Sequence, residues 1–261
     1  MFKRHMHIIA TAALAVLLLL PVPPSKAQAA DIHLEPNLIN INATYNGAEV
    51  TVSGDIPADA EAVIQLTGQT QDTHLLKKGR VFGILWMNTG TITFENVPKA
   101  YMIYLPAAIT ESNLSQDPLR QSLGIGFEAL KNKVVLSPAN EDKDFQFKEF
   151  IKLKSKEGLY SLSENAISYK DGQNQMKSFT CAMTIPASMP QGLFSVTTFV
   201  MKNGQLMEVN TNQLKIKETG LPAMMSDLAF DHGLIYGILA TLIALIAGLL
   251  TGIIFKGGGG H

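Results

Sequence analysis

The residues able to do chemistry are few and scattered. Beyond residue 29 the histidines are His33, His74, His232 and His261, and no two stand at the i,i+4 spacing that puts two ligands on one helix face. Neither a His-Glu-x-x-His nor a Cys-x-x-Cys run occurs, so a built metal site has no support. The nucleophile patterns are missing as well: there is no Gly-x-Ser-x-Gly elbow, no Ser-x-x-Lys pair and no phosphate-cradling glycine loop. The acidic run Glu141-Asp142-Lys143-Asp144 is mixed in charge and precedes a helical pattern, which reads as a solvated helix start favoured by the macrodipole. Eleven methionines would suit copper, but Met183 and Met201 fall on strand patterns and Met224-Met225 precede an apolar segment, so packing is the expected role. Cys181 is the only cysteine, which rules out an internal disulfide. It alternates with Phe179, Met183 and Ile185 onto one strand face, as a small buried hydrophobe would. No catalytic residue, cofactor or metal is expected, and the chain reads as a protein that is not an enzyme.

What remains is a surface for association. Residues 233–255 (GLIYGILATLIALIAGLLTGIIF) carry no charge. At 1.5 Å per residue they form a helix of about 35 Å, enough to cross about 30 Å of hydrocarbon. Gly233, Gly237, Ala240, Ala244, Gly248 and Gly252 recur every three or four residues and put small side chains along one stripe of that helix. Such a stripe lets a second helix approach closely, and Gly248 to Gly252 matches the small-xxx-small pattern. A helix–helix interface on this stripe is expected, although glycine and alanine are also common in membrane helices generally.

The other end carries an address. Lys3-Arg4, the apolar run from Ile8 to Leu20 and the small residues Ala27-Gln28-Ala29 form the three parts of a secretory signal peptide over residues 1–29. The run of about 13 residues is too short to span a bilayer. Removing Lys3, Arg4 and Lys26 leaves 18 basic and 22 acidic residues, a net charge of −4, with no basic footprint for nucleic acid. Asp227 and Asp231 precede the apolar helix and Lys256 follows it, the asymmetry of a chain whose C-terminus lies in the cytoplasm. The expected topology is a single-pass protein with its bulk exported, a membrane-proximal linker at 218–232 and a short cytoplasmic tail at 256–261.

The exported body must hold whatever the helix does not. From Asp31 to Ile109 short alternating segments are separated by turn residues, with no convincing helix. Expected strands cover Leu38–Tyr45, Glu49–Ser53, Ala62–Leu66, His74–Lys77, Arg80–Met87, Thr91–Glu95 and Tyr101–Leu105, with a hairpin at Asn46-Gly47. Trp86, the only tryptophan, sits mid-strand in this reading and is expected to anchor the core. After a polar junction at Glu111–Pro118 the spacing turns helical at about 116–132 and 143–158, then returns to strands at Ala166–Tyr169, Lys177–Ile185, Leu193–Met201 and Leu206–Lys217. A second hairpin is expected at Asn203-Gly204. The fold class is mainly β with some α: an immunoglobulin-like antiparallel β-sandwich over 30–110, an α+β unit over 111–217 and one C-terminal transmembrane helix. The second unit is either helices on a small sheet of its own or a helical insertion decorating the same sandwich.

Several short runs carry a resemblance. They are Tyr45-Asn46-Gly47 with Val50-Thr51-Val52-Ser53-Gly54, Gly83-Ile84-Leu85-Trp86-Met87-Asn88, and Val97-Pro98-Lys99-Ala100-Tyr101. Phe147-Lys148-Glu149-Phe150 leading to Gly158-Leu159-Tyr160, Ile185-Pro186-Ala187 with Pro190-Gln191-Gly192, and Tyr236-Gly237 follow them. Through these runs nearly the whole chain after residue 29 resembles an uncharacterised transmembrane-protein family first grouped in alpha-proteobacteria. The resemblance implies a signal peptide, an exported β-rich domain and a C-terminal span in the bacterial inner membrane, with the bulk of the chain in the periplasm. It brings no established activity and no catalytic residues, and it implies association with a polytopic, anion-exporter-like permease. The sequence departs from the family where relatives start a strand with Pro-x-Gly-x-Tyr: here Phe194 follows Gly192-Leu193. The partners expected are therefore the lipid bilayer and an integral membrane protein. The alternative is an envelope sensor or ligand-binding module.

Overall fold

The structure is a computed structural model that describes residues 31–255 apart from Asn174. The expected signal peptide and the tail after Phe255 lie outside the described residues. The body is β-rich, with three sheets and one C-terminal apolar helix.

β1 (Ile32–Glu35) turns Ile32 and Leu34 inward and pairs antiparallel with β3 (Ala48–Pro57). β3 pairs with β11 (Met176–Ile185), and β11 with β10 (Ile167–Asp171), which completes a four-stranded sheet. The second sheet has the order β2 (Leu38–Ile41), β13 (Gln205–Glu218), β12 (Gly192–Lys202), β4 (Ala60–Gly68), β7 (Tyr101–Tyr104), β9 (Tyr160–Ser163). Alternation aims the two sheets at one another. Val50, Val52, Phe179, Cys181, Met183 and Ile185 from the first join Ile64, Leu66, Phe194, Val196, Leu214 and Ile216 from the second in a single buried cluster. Burial on that scale contributes about 1.5–3 kcal/mol per large aliphatic side chain, so this cluster holds the body together.

Several expectations hold. β11, β12 and β13 lie where alternation placed them, and Asn203-Gly204, both at positive φ, close the β12–β13 hairpin between Lys202 and Gln205. Cys181, Met183 and Met201 are buried core residues.

Others are corrected. Asn46-Gly47 does not close a hairpin, because β2 and β3 belong to different sheets. A Cβ on Gly47 would lie 2.9 Å from the Ile185 carbonyl oxygen, so this glycine serves a close backbone approach to the end of β11. The pairing is not wholly antiparallel, since β13 pairs with β2 and β7 with β9 in parallel. Strands from 30–110 and from 111–217 are hydrogen-bonded neighbours in both main sheets, β3 with β11 and β4 with β12. The chain on the two sides of residue 110 thus shares one core.

The third sheet is a long two-stranded arm. β5 (Thr70–Val81) and β6 (Leu85–Pro98) pair over nearly their full length, and β8 (Val135–Ser137) adds to β6 at its base. The segments expected as separate strands at Arg80–Met87 and Thr91–Glu95 are therefore one turn and one strand. The chain reverses at Phe82 and Gly83, both at positive φ, so Trp86 stands at the arm's tip rather than in the core.

Helices cover the base of the arm. The single helix expected at 116–132 is three short ones, α1 (Glu111–Gln116), α2 (Pro118–Ser122) and α3 (Phe127–Lys133). Positive φ at Gly124 and Gly126 interrupts the helical spacing, and Tyr101 fills the break. Its hydroxyl donates to the Gly124 carbonyl at 2.7 Å and accepts from the Gly126 N–H at 3.1 Å. α4 (Lys143–Lys156) forms where expected, capped by the Asp142 carboxylate on the Asp144 and Phe145 N–H groups. Phe150 of α4 stacks on Phe94 of β6 at 4.5 Å and meets Tyr160 of β9 edge-on at 5.5 Å. The expected linker at 218–232 contains α5 (Leu221–Phe230), and α6 spans Gly233–Phe255.

Candidate functional site

α6 is the element that the sequence singled out, and it is a candidate membrane span. Both threonine hydroxyls are satisfied within the helix: Thr241 donates to the Gly237 carbonyl and Thr251 to the Ala247 carbonyl, each at 2.8 Å. Neither threonine then needs water for its hydroxyl. None of its 23 residues is buried by the rest of the body, and the helix is long and apolar enough to cross a membrane.

The six expected interface positions all lie on this helix. At about 100° per residue, Gly233, Gly237, Ala240, Ala244, Gly248 and Gly252 occupy one sector of roughly 120°. A Cβ placed on Gly233, Gly237, Gly248 or Gly252 meets nothing within 4 Å. The stripe is open along its length, and a shallow groove runs over Gly233, Gly237 and Thr241 between Leu234, Ile238 and Leu242.

A family model described as "putative transmembrane protein" matches residues 31–257. The chain belongs to that family. The match runs through both main sheets, the arm and the membrane helix as one unit, so the C-terminal helix is part of the family's architecture. No curated protein matches the chain.

The body itself holds two features that could contact something. One is an open cleft of about 460 Å³ between β9, β10 and β11, lined by Tyr104, Ser161, Ser163, Ser168, Thr180 and Thr184 with Ala166 and Ala182. Its lining offers hydroxyls and no charge. The other is the arm's tip. Phe82 is 91% exposed, Ile84 81% and Trp86 66%, with Leu85 and Met87 beside them also exposed. The Arg80 guanidinium lies 5.1 Å from the Trp86 ring centre. Sequence reasoning missed this patch because the segment alternates like a strand; the signal that marks it is Gly83 inside an apolar run preceded by Lys77, Lys78 and Arg80.

Ionisable groups elsewhere are placed for structure. Among the described residues no three of His, Cys, Asp and Glu converge on a point where a metal could sit. His33 pairs with Asp31 at 3.2 Å on the surface, and His74 bonds the Thr93 hydroxyl. Burial pushes the Cys181 thiol up to about 12, and no cation stands beside it to favour a thiolate. Burial likewise raises the phenols of Tyr101, Tyr104 and Tyr160 well above their ordinary value.

Proposed function

We propose that the chain is a non-enzymatic, membrane-anchored envelope protein that serves as an accessory or interaction subunit of a membrane complex, such as a transporter. The observation that carries this reading is α6: a 23-residue uncharged helix, uncovered by its own body, with an open stripe of small residues down one side. In lipid no hydrophobic force drives helices together, so close backbone packing must supply the attraction, and small residues permit it. The signal-peptide pattern and the charges flanking α6 support an inner-membrane location with the body in the periplasm.

In this reading the body is immunoglobulin-like. The order β1-β3-β11-β10 corresponds to strands A-B-E-D of that class, and β13-β12-β4 to G-F-C. The arm and the helices α1 to α4 are then insertions between the strands of the class, which fits their position against the β4–β7 end of the second sheet. Such a frame presents loops and insertions while its core stays fixed.

The test is a pair of substitutions. Gly248→Ile puts a β-branched side chain into the stripe and holds two backbones apart, whereas Leu249→Ile, off the stripe, changes little. Affinity purification from detergent-solubilised membranes is expected to recover a co-purifying membrane protein with wild type and Leu249→Ile and to lose it with Gly248→Ile, at equal abundance of all three. Equal recovery by both variants would make α6 an anchor only.

A second reading, a ligand-binding module, is favoured by the hydroxyl-lined cleft under Tyr104. Its lack of charge suits an uncharged polar ligand such as a saccharide. Bulky substitutions at Ser168 and Thr180 would abolish ligand binding in that case and leave co-purification untouched.

A further inference from the structure

We infer that the tip of the β5–β6 arm is a second membrane-attachment element, which inserts into the headgroup region of the bilayer that holds α6, on the body's side, and prefers anionic phospholipid. This rests on the reading that α6 anchors the chain.

The arm and the membrane helix leave the body from the same end. β4 ends at Gly68, which pairs with Phe194 of β12, and Gly192 of β12 pairs with Ile216 near the end of β13. Gln69, at the root of the arm, shares one cleft with Lys215, Ile216 and Lys217, the last residues before the chain turns towards α5 and α6. The arm continues the β4–β7 hairpin past this edge through bonds from Gly68 N–H to the Ala100 carbonyl and from Lys99 N–H to the Gln69 carbonyl, both 2.9 Å. Twelve residues of β5 extend about 40 Å, whereas α5, which separates the body from α6, is only about 15 Å long. The arm is long enough to reach the surface that α6 enters.

Its chemistry changes along its length to match. At the base Ile92 and Phe94 are buried, with Phe94 stacked on Phe150 of α4. From Leu85 to Thr91 every residue of β6 is exposed, and the turn residues Phe82 and Ile84 stand almost free of any contact. An apolar group of this size is seldom left in water by a protein that has nothing to place it in. Lys77, Lys78 and Arg80 of β5 stand just before the tip as a collar, and no acidic residue occurs between Lys77 and Thr93. Glu141 engages Lys77 at 2.7 Å, which leaves Lys78 and Arg80 as the collar's available charges. A tryptophan beside an arginine, above a Phe-Ile-Leu-Met cluster, is the arrangement that settles at the lipid–water boundary, with ring and aliphatic groups among the upper acyl carbons and cations among the phosphates. The collar favours a bilayer over a second protein surface, since phosphate is what Lys and Arg would meet at that depth. Each basic side chain near an anionic surface strengthens attachment by about fivefold.

Trp86 is the chain's only tryptophan, so its fluorescence reports the tip alone. Full-length protein reconstituted into vesicles of phosphatidylethanolamine and phosphatidylglycerol is titrated with acrylamide from the aqueous side, and in parallel vesicles with phospholipids brominated near the top of the acyl chain. The expected result is blue-shifted emission, quenched by the brominated lipid and protected from acrylamide. Ile84→Asp, at a position too exposed to affect folding, should reverse both effects, and Lys78→Glu with Arg80→Glu should weaken them, as should replacing phosphatidylglycerol by phosphatidylcholine. Emission quenched by acrylamide and not by brominated lipid would overturn the inference. So would blue-shifted emission that neither quencher reaches, which would mean that a protein surface, such as a second copy of this chain, covers the tip. Flotation of the same vesicles separates the two claims: protein that floats with an unquenched tip overturns only the arm, whereas protein that fails to float overturns the anchoring by α6 and this inference with it.

Discussion

Phe150→Ala is expected to remove about 3–5 kcal/mol of the body's stability, while Trp86→Ala leaves it within about 1 kcal/mol. Phe150 is fully buried where three parts of the chain meet: Phe94 from the arm, Tyr160 from the edge of the second sheet and Phe147 one helical turn away. Truncation leaves a cavity lined by aromatic rings that belong to different elements and cannot close together around it. The aromatic pair geometry adds to the loss, at about 0.5–1.5 kcal/mol per pair. Trp86, the larger ring, touches Arg80 and little else. Urea unfolding of the detergent-purified chain, followed by far-UV circular dichroism, measures both. A large loss for Trp86→Ala would mean that the arm folds back onto the body.

The second large effect is on pH. The body is expected to unfold cooperatively as the pH is raised above about 10, without help from denaturant. Burial raises Tyr101, Tyr104 and Tyr160 above the 10.0 of a free phenol and Cys181 to about 12. All four are therefore neutral in the folded state at a pH where they ionise in the unfolded chain. The stability that they hold is fully present below their unfolded values and is lost as the pH climbs towards the folded ones. Each group costs about 1.4 kcal/mol for every pH unit above its unfolded value. By about pH 11 four such groups remove several kcal/mol, comparable with the roughly 5–15 kcal/mol that a domain possesses. Tyrosinate absorbance should rise together with the loss of β signal, as one transition. A gradual rise near pH 10 with the fold intact would show that these phenols reach solvent.

The parts legible in the sequence are those that local pattern fixes. Alternation at Phe179, Cys181, Met183 and Ile185 gave a strand with its buried face correct, and Asn203-Gly204 gave its neighbours' hairpin. The apolar run at 233–255 gave α6 to the residue, because length and lack of charge need no partner to be read. The same patterns misled wherever a long-range contact decides. Tyr45-Asn46-Gly47 has hairpin chemistry, but the glycine is required by the Ile185 carbonyl, far away in sequence. Leu119, Leu123, Phe127 and Leu130 keep helical spacing, yet Gly124 and Gly126 take positive φ to bond the Tyr101 hydroxyl, which interrupts the helix. The junction near residue 110 left two arrangements open for a related reason: a run rich in polar residues marks a loop, and nothing local says whether the next strand starts a new sheet or enters an old one.

The candidate site divides in the same way. The small-residue stripe was readable because all six positions lie on one helix and periodicity alone assigns them to one face. The arm tip was not, since whether Arg80–Met87 is a strand or a turn depends on where β6 begins its pairing. Trp86 was assigned to the core on size, and size is a poor guide where a tight turn carries the ring away from the body and leaves it 66% exposed.

We propose that α6 holds the chain in the inner membrane with the body outside the cytoplasm. Paired reporter fusions test it most directly: a fluorescent protein that matures only in the cytoplasm, joined after Lys217 in one chain and after His261 in the other, in a bacterial host. A dark cell is expected for the first fusion and a bright, membrane-localised signal for the second. Fluorescence from the fusion after Lys217, or a soluble signal from the fusion after His261, would contradict it.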